Sequence, residues 1–357
     1  MTTVADQKKD IRSAEKNIDK LEERIPLADT PMIPPAAQAV AASGSTKGAP
    51  LFVAADLDLV AKTGVQMDSW FFVSHLTSGS DRLDLLIHYM RLTPPQGNPV
   101  VQAMASVLDS VSGKFVVEER NYQDSETTLS TASLNVQTPS GGLTGDASAM
   151  HVTARFQRIN INLTLAHQGP LLAALGTGII PFYGDINYDY ALPSMTTSGS
   201  VVVDGKSYQV AGTSWFDRQW GRMGPSFLHK KWTWMGICLD NGIRITLSDI
   251  FEGDQEHAFA TMLHPDGRHE IVDVEPLAEG STSIWKSATT GRRYPTKWVV
   301  SIPMLKARLC VEPFVREQEV VSPMGEHKYE GASSVVGQME DRPVTGHAIV
   351  ELVGDWN

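Results

Sequence analysis

From about residue 50 onward the chain alternates between apolar and polar residues. Ile159, Ile161, Leu163 and Leu165 are separated by Asn160, Asn162 and Thr164, and Ile243, Ile245 and Leu247 by Arg244 and Thr246. A period of two places successive side chains on opposite faces of an extended strand, so each run has one face to bury and one wetter face. Further runs of this kind are expected near 70–77, 83–91, 115–121, 150–156, 206–211, 231–239, 257–263, 297–302, 306–312 and 345–353. Asp204-Gly205, Asn241-Gly242 and Asp266-Gly267 are the dipeptides of tight hairpins. Many short strands joined this way predict an all-β, antiparallel architecture. Closing such strands into barrels removes their edges, and a barrel lined by Leu, Ile, Met and aromatic side chains makes an apolar container for a greasy guest.

Upstream the period is helical. Ile11, Ala14, Ile18, Leu21 and Ile25 recur at spacings of three and four, which predicts one helix over 6–25 that ends at Pro26. Its stripe covers two heptads, too few for a coiled coil, so it is expected to dock on the body or to join two copies in a homodimer. Residues 30–50 are rich in Pro, Ala and Gly and read as a linker or wrapping arm. The resulting division is 1–50 helix and arm, 51–222 a first β domain and 223–357 a second, a length that allows two filled cores. Within the first domain, the Gly-punctuated piece at 169–180 reads as a lid or plug.

With 41 acidic against 30 basic residues the net charge is −11, and no Lys/Arg block occurs, so nucleic acid is not an expected partner. No run approaches the ~18 apolar residues that cross a bilayer, and the first residues lack the apolar segment of a secretory signal. Cys238 and Cys310 sit in apolar runs and read as core thiols. A cytoplasmic protein is the expectation. Phosphate-loop, dinucleotide-fingerprint, nucleophile-elbow and zinc-helix motifs are all missing, and the ten histidines form no metal-ligand spacing. The expectation is therefore a protein with no cofactor and no metal.

Chemistry concentrates between 197 and 236. Trp215, Trp220, Trp232 and Trp234, four of the eight tryptophans, fall within twenty residues. In an extended 214–220, Trp215, Asp217 and Gln219 share one face, and Phe216, Arg218 and Trp220 the other. An aspartate set among aromatic rings loses hydration, its pKa rises, and the neutral carboxyl can donate a proton or a hydrogen bond. The alternative is a structural Asp217, ionised and paired with backbone N–H groups and an arginine at the junction of two domains. Both readings stand at this point. His75, His88 and His151 read as strand histidines.

The segment SGSVVVDGKSYQVAGTSWFDRQWG resembles the hallmark of the lipocalin-like AttH and hydroxyneurosporene synthase (carotenoid hydratase) family. Trp70-Phe71-Phe72-Val73-Ser74-His75-Leu76 is similar to that family's W-[YF]-x-x-x-H-[LF] strand, and YEGASSVVG (329–337) and VTGHAIVELVG (344–354) to its closing strands. The similarity covers about residues 50–357. It implies two lipocalin-like, calycin-type antiparallel β-barrel domains behind an N-terminal helix.

For activity the resemblance points in several directions. Carotenoid hydratases protonate an isoprenoid alkene with an aspartate, which by similarity falls on Asp217, with Trp215 as its aromatic neighbour. Their His-x-Trp pair matches Tyr188-Asp189-Tyr190 here, and the missing histidine weighs against carotenoid hydration itself. The Diels–Alderases of polyketide pathways share the two-barrel plan, need no cofactor, and work by folding a long polyene until its reacting ends meet. The leading expectation is thus a cofactor-independent cyclase or isomerase, of Diels–Alderase type, acting on a hydrophobic polyketide or terpenoid. Asp217, Tyr188, Tyr190 and His75 are its candidate donors, and Trp70, Trp215, Gln219 and Trp234 line its substrate site. Hydration of an isoprenoid double bond by Asp217 is the alternative, and a lipid or pigment carrier without chemistry is the third reading.

Overall fold

The computed structural model describes residues 52–356 apart from 95, 225, 226, 228, 254 and 324, and it leaves the side chains of 278, 279 and 282 undescribed. The helix expected over 6–25, the arm at 30–50 and the dimer contact expected of that helix lie outside the described residues.

Two antiparallel sheets hold nearly all of the regular structure among the described residues. The first contains β1 (Met67–Ser78), β2 (Asp81–Leu92), β3 (Val100–Asp109), β4 (Lys114–Gln123), β5 (Thr128–Leu129), β6 (Leu134–Thr138), β7 (Gly141–Gly145), β8 (Ala149–Arg155), β9 (Ile159–His167), β12 (Asp185–Val203) and β13 (Lys206–Gly221). Their order is β4-β3-β2-β1-β13-β12-β9-β8-β7-β6-β5, with β10 (Leu172–Ala173) and β11 (Ile179–Phe182) also paired to β12. The second sheet contains β14 (Lys231–Leu239), β15 (Arg244–Glu252), β16 (Gln255–Leu263), β17 (His269–Asp273), β18 (Ser281–Lys286), β19 (Arg293–Ile302), β20 (Ala307–Pro313), β21 (Glu319–Val320), β22 (Lys328–Met339) and β23 (Arg342–Val353). Its order is β17-β16-β15-β14-β23-β22-β20-β19-β18, with β21 beside β22.

Alternation shapes these strands as the sequence implies. In β9 buried and exposed residues alternate from Ile159 to Ala166 without a break. The β12–β13 hairpin turns at Asp204 (φ 47°) and Gly205 (φ 80°), the two left-handed positions of a type I′ turn whose twist matches its strands.

The first sheet curls until Glu118 Oε2 on β4 accepts the N–H groups of Arg158 (2.7 Å) and Ile159 (3.2 Å) at the start of β9. Trp70, Phe72, Leu76, Tyr89, Tyr190 and Phe216 fill its inner side. Met235, Leu247, Tyr294, Trp298, Tyr329 and Leu352 do the same for the second sheet. The expected container inside each barrel is thus occupied by the protein's own side chains, because strands of this curvature bring large residues together at the centre. The sequence placed the guest there; the arrangement puts the chemistry-bearing residues on the outer faces, where one sheet meets the other.

That junction has its own apolar cluster, with Phe71, Val73, Leu86, Met104 and Trp215 from the first sheet against Trp234, Leu263, Val320 and Ile349 from the second. The piece at 169–180 is wedged there. Leu175 N donates to Thr261 Oγ1 (2.8 Å) and Ala173 N to His269 Nε2 (3.0 Å), and Leu175 and Ile180 pack on Ile250 and Phe259. Of the two expectations for this piece, a plug describes it. Cys238 and Cys310 are free thiols. No helix among the described residues is long and apolar enough to cross a membrane.

Candidate active site between the sheets

Register decides which side chains enter the junction. On β13, Trp215, Asp217 and Gln219 face the second sheet, while Phe216, Arg218 and Trp220 face the interior of their own. Asp217 pairs with Phe71 on β1 and Ala191 on β12, and Phe71 pairs with His88 on β2, so Asp217, Phe71 and His88 form one row. Asp189 pairs with Gln219 and lies diagonally beside Asp217 on the same face. Opposite them, Trp234, Glu351 and Glu330 form a row across β14, β23 and β22, with Trp232 and Lys328 in the next.

Aromatic rings flank the acid. The indole N–H of Trp215 donates to Asp217 Oδ1 at 3.2 Å. Trp234 meets Trp215 edge-on with ring centres 6.1 Å apart and meets Phe71 at 5.8 Å, and Phe71 meets His88 at 5.2 Å. Gly236 lets the indoles approach, since a Cβ there would lie 2.9 Å from the Trp234 ring and 3.4 Å from that of Trp215. Beside these contacts Asp217, Gln219, Trp232, Lys328 and Glu351 keep partial exposure, so this rim of the junction, the crevice, is reached by solvent.

Burial sets the protonation states. Desolvation first, and then the charge of Asp189, hold Asp217 well above the usual carboxylate range, although the Trp215 indole works against them. Asp189 is pushed up to about 7 by burial, moderated by its hydrogen bond with Asp217. His88 shares a hydrogen bond with Ser69 Oγ (2.8 Å) and is driven down to about 3 by burial and by the Lys328 charge, so it is neutral. Across the crevice Lys328 lies 2.5 Å from Glu330 and 3.0 Å from Glu351, which also accepts the Trp232 indole at 2.8 Å. Burial disfavours ionising Glu351, but Lys328 outweighs it and brings Glu351 down to about 2. Glu330, fully buried, is raised well above its ordinary value by desolvation. The crevice thus sets a neutral acid, Asp217, opposite one fixed ion pair, Lys328–Glu351.

The structure brings Asp217, Trp215, Gln219 and Trp234 together and separates them from the other expected residues. His75 is on the same face but farther along, bound to Asp84 at 2.6 Å. Tyr188, Tyr190 and Trp70 point to the opposite side of the sheet. Tyr188 stacks on Trp220 at 5.1 Å, Tyr190 meets that ring edge-on at 6.2 Å, and Trp70 is fully buried with its indole on Leu59 O at 2.8 Å. The reason is the period of two: in Tyr188-Asp189-Tyr190 only the middle residue shares the face of Asp217. Arg218, the next residue along β13, binds Asp68 at 2.6 Å on the far side of the sheet. Asp189, Lys328, Glu330 and Glu351 did not stand out in the sequence. The available signal was a charged residue at an inward position of a β run.

The AttH-like family model matches residues 49–355. A dehydratase, asqC, of Emericella nidulans is 25% identical over 229 residues, 59% of this chain; the match spans 64% of that relative, less than two thirds of its length. Kievitone hydratase of Fusarium solani subsp. phaseoli is 23% identical over 304 residues, 81% of this chain and 83% of its own. Among solved structures, an AttH-type protein of Nitrosomonas europaea superposes with a TM-score of 0.74 at 19% identity, covering 86% of this chain and 99% of the other. Kievitone hydratase from Nectria haematococca does so with 0.73 at 22%, covering 87% and 95%. The two solved structures share the lipocalin-like, all-β plan of this chain.

Proposed function

The chain belongs to the AttH-like family, and from that membership and the make-up of the crevice we propose an enzyme that adds water to a carbon–carbon double bond of a hydrophobic small molecule, or eliminates it. Asp217 is its general acid. The observation that carries this reading is a carboxyl kept neutral by burial and aimed among indole rings. Protonating an alkene creates a carbocation at the more substituted carbon. Trp215, Trp234 and Phe71, packed edge to face on the side of the acid, are the rings such a cation would meet, and aromatic faces stabilise a desolvated cation by about 2 kcal/mol. Hydration and dehydration are one path travelled in two directions, and the two curated relatives bear the names of each. The site asks for no group beyond the chain's own side chains in this step.

Cyclisation is the second reading, favoured by the same neutral carboxyl. An acid that keeps its proton still donates a hydrogen bond to a carbonyl, and the apolar surface that Trp215 and Trp234 present together could hold an extended chain in a folded shape. Incubation of the full chain with kievitone, with farnesol as a simple trisubstituted alkene and with linear polyenes, followed by mass spectrometry, separates the readings. A product changed by one water supports hydration or dehydration. An isomer of unchanged mass supports cyclisation, and bound, unaltered ligand supports carriage. With Asp217→Asn, hydration falls by about 10²-fold or more, while a cyclase keeps most of its rate.

A further inference from the structure

We propose that Asp189 is the second catalytic residue of this site, taking the proton of the attacking water while Asp217 supplies the proton of the new C–H bond. The inference rests on the hydration reading and adds to it a partner residue and a stereochemical outcome.

The placement comes from the hairpin. Asp217 pairs with Ala191 and Asp189 with Gln219, so the two carboxylates are diagonal neighbours on the one face of the β12–β13 ribbon that enters the crevice. They hydrogen-bond to each other. Asp189 is buried and Asp217 partly so, beside apolar groups, and a second negative charge there is opposed by the first, so the pair keeps one proton between them. Asp189 is fixed further by its backbone, whose N–H donates to Gly178 O at 2.8 Å on the wedged segment.

The step balances without any other reactant. The Asp217 O–H bond breaks as its hydrogen bonds to the less substituted alkene carbon, using the π pair. A lone pair of water then forms the C–O bond at the cationic carbon, and the O–H bond of that water breaks toward the Asp189 carboxylate. The proton has moved from Asp217 to Asp189, and transfer along their shared hydrogen bond restores the start. Dehydration runs the same events backward. Because both carboxyls lie on one side of the substrate, hydrogen and hydroxyl arrive on the same face.

The charged and titratable groups around the pair are few. Glu351 on β23 faces Asp217, with Lys328 and Glu330 beside it on β22 and His88 on β2, whereas Arg218 and Tyr190 lie behind the sheet. The Lys328–Glu351 pair stays charged and His88 neutral through the neutral range. The limb of the pH–rate profile near 7 therefore belongs to the aspartate pair, with activity lost as pH falls and Asp189 takes up its proton.

Two measurements decide the matter. Carboxyl 13C NMR titrations of the full chain, labelled at aspartate, compare wild type, Asp189→Asn and Asp217→Asn. Removing the Asp189 charge is expected to bring the titration of Asp217 down, and an unmoved Asp217 overturns the inference whatever the substrate. Turnover of farnesol, or of its tertiary alcohol in the reverse direction, is then followed in D2O. Asp189→Asn is expected to slow it about 10²-fold, to erase the limb near 7 and to leave KM nearly unchanged, while wild type delivers deuterium and hydroxyl to one face. Wild-type turnover by Asp189→Asn, or addition to opposite faces, rejects Asp189 as acceptor and leaves hydration by Asp217 standing. Full activity of Asp217→Asn rejects the underlying reading itself.

Discussion

The imidazoles of His75 on β1 and His347 on β23 meet across the junction of the two sheets with ring centres 3.8 Å apart. His75 is held by Asp84, which in turn accepts Ser110 Oγ at 2.8 Å. Burial foremost, then the charges of His75, Arg244 and Arg82, drive His347 down to about 2. A histidine whose pKa is depressed on folding refuses a proton that the unfolded chain accepts near 6.5. Its contribution is complete above that value and shrinks as pH falls from about 6.5 toward about 2. The stability margin of wild type over His347→Gln is therefore expected to narrow by about 1–2 kcal/mol between pH 7.5 and pH 5. Urea unfolding of both proteins at the two values measures it, and a constant margin refutes the assignment.

Trp215 is expected to matter to Asp217 through its N–H more than through its ring. Phenylalanine keeps an aromatic body against Gly236 and Trp234 but removes the 3.2 Å hydrogen bond to Oδ1. That bond is worth about 1–1.5 kcal/mol, and it opposes the burial that raises Asp217. Trp215→Phe is expected to move the upper limb of the pH–rate profile upward and to lower turnover about tenfold, under conditions where the variant, destabilised by the lost bond and the smaller ring, is still fully folded. Unfolding that falls in step with activity points to packing as the whole effect.

Lys328 and Glu351 make a different kind of pair. Both side chains are mostly buried, and Lys328 is the cation that brings Glu351 down to about 2 despite burial. Removing one member leaves an uncompensated charge, which costs about 3–5 kcal/mol, whereas removing both relieves it. Lys328→Met alone is expected to be strongly destabilised, and Lys328→Met with Glu351→Gln to recover most of the loss. A double-mutant cycle by denaturant unfolding tests this, and additive losses contradict it.

What the sequence revealed and what it hid follow from how local each cause is. β9 is legible because one face is buried and the other wet, and the partition of Trp215, Asp217 and Gln219 from Phe216, Arg218 and Trp220 follows from an extended backbone alone. β3 escapes a search for alternation, since Ala103, Met104, Ala105, Ser106, Val107 and Leu108 are all buried, between the interior of their own sheet and the second sheet. β12 is longer than it reads, because Pro193 lies at a register shift between Leu192 and Met195 and breaks the pattern in its middle. Asp189 was flanked by two tyrosines that drew attention to the wrong face. Glu330 and Glu351, in apolar runs of β22 and β23, gain meaning only when Lys328 and the first sheet are brought up against them, which no local pattern encodes.

Arg218, next to the proposed acid, is expected to be another costly position to change. Its guanidinium is fully buried, 2.6 Å from Asp68, and donates to the carbonyls of Val60 (2.8 Å), Asp58 (3.0 Å), Ser69 (3.0 Å) and Gln219 (3.1 Å). The rings of Trp70 and Trp220 flank it at 4.3 and 5.0 Å. Lysine cannot replace this fork: it offers one point charge to groups arranged around a plane and leaves several carbonyls without a donor. Alanine strands the Asp68 carboxylate and opens a cavity between two indoles. Arg218→Ala is expected to cost about 3–5 kcal/mol, and Arg218→Lys to remain clearly destabilised. Because the side chain anchors 58–69 to the back of β13, looser packing there also reaches Asp217 on the front. Arg218→Lys should therefore lose turnover as well as stability, and a variant that unfolds earlier but keeps wild-type kcat separates the anchor from the acid.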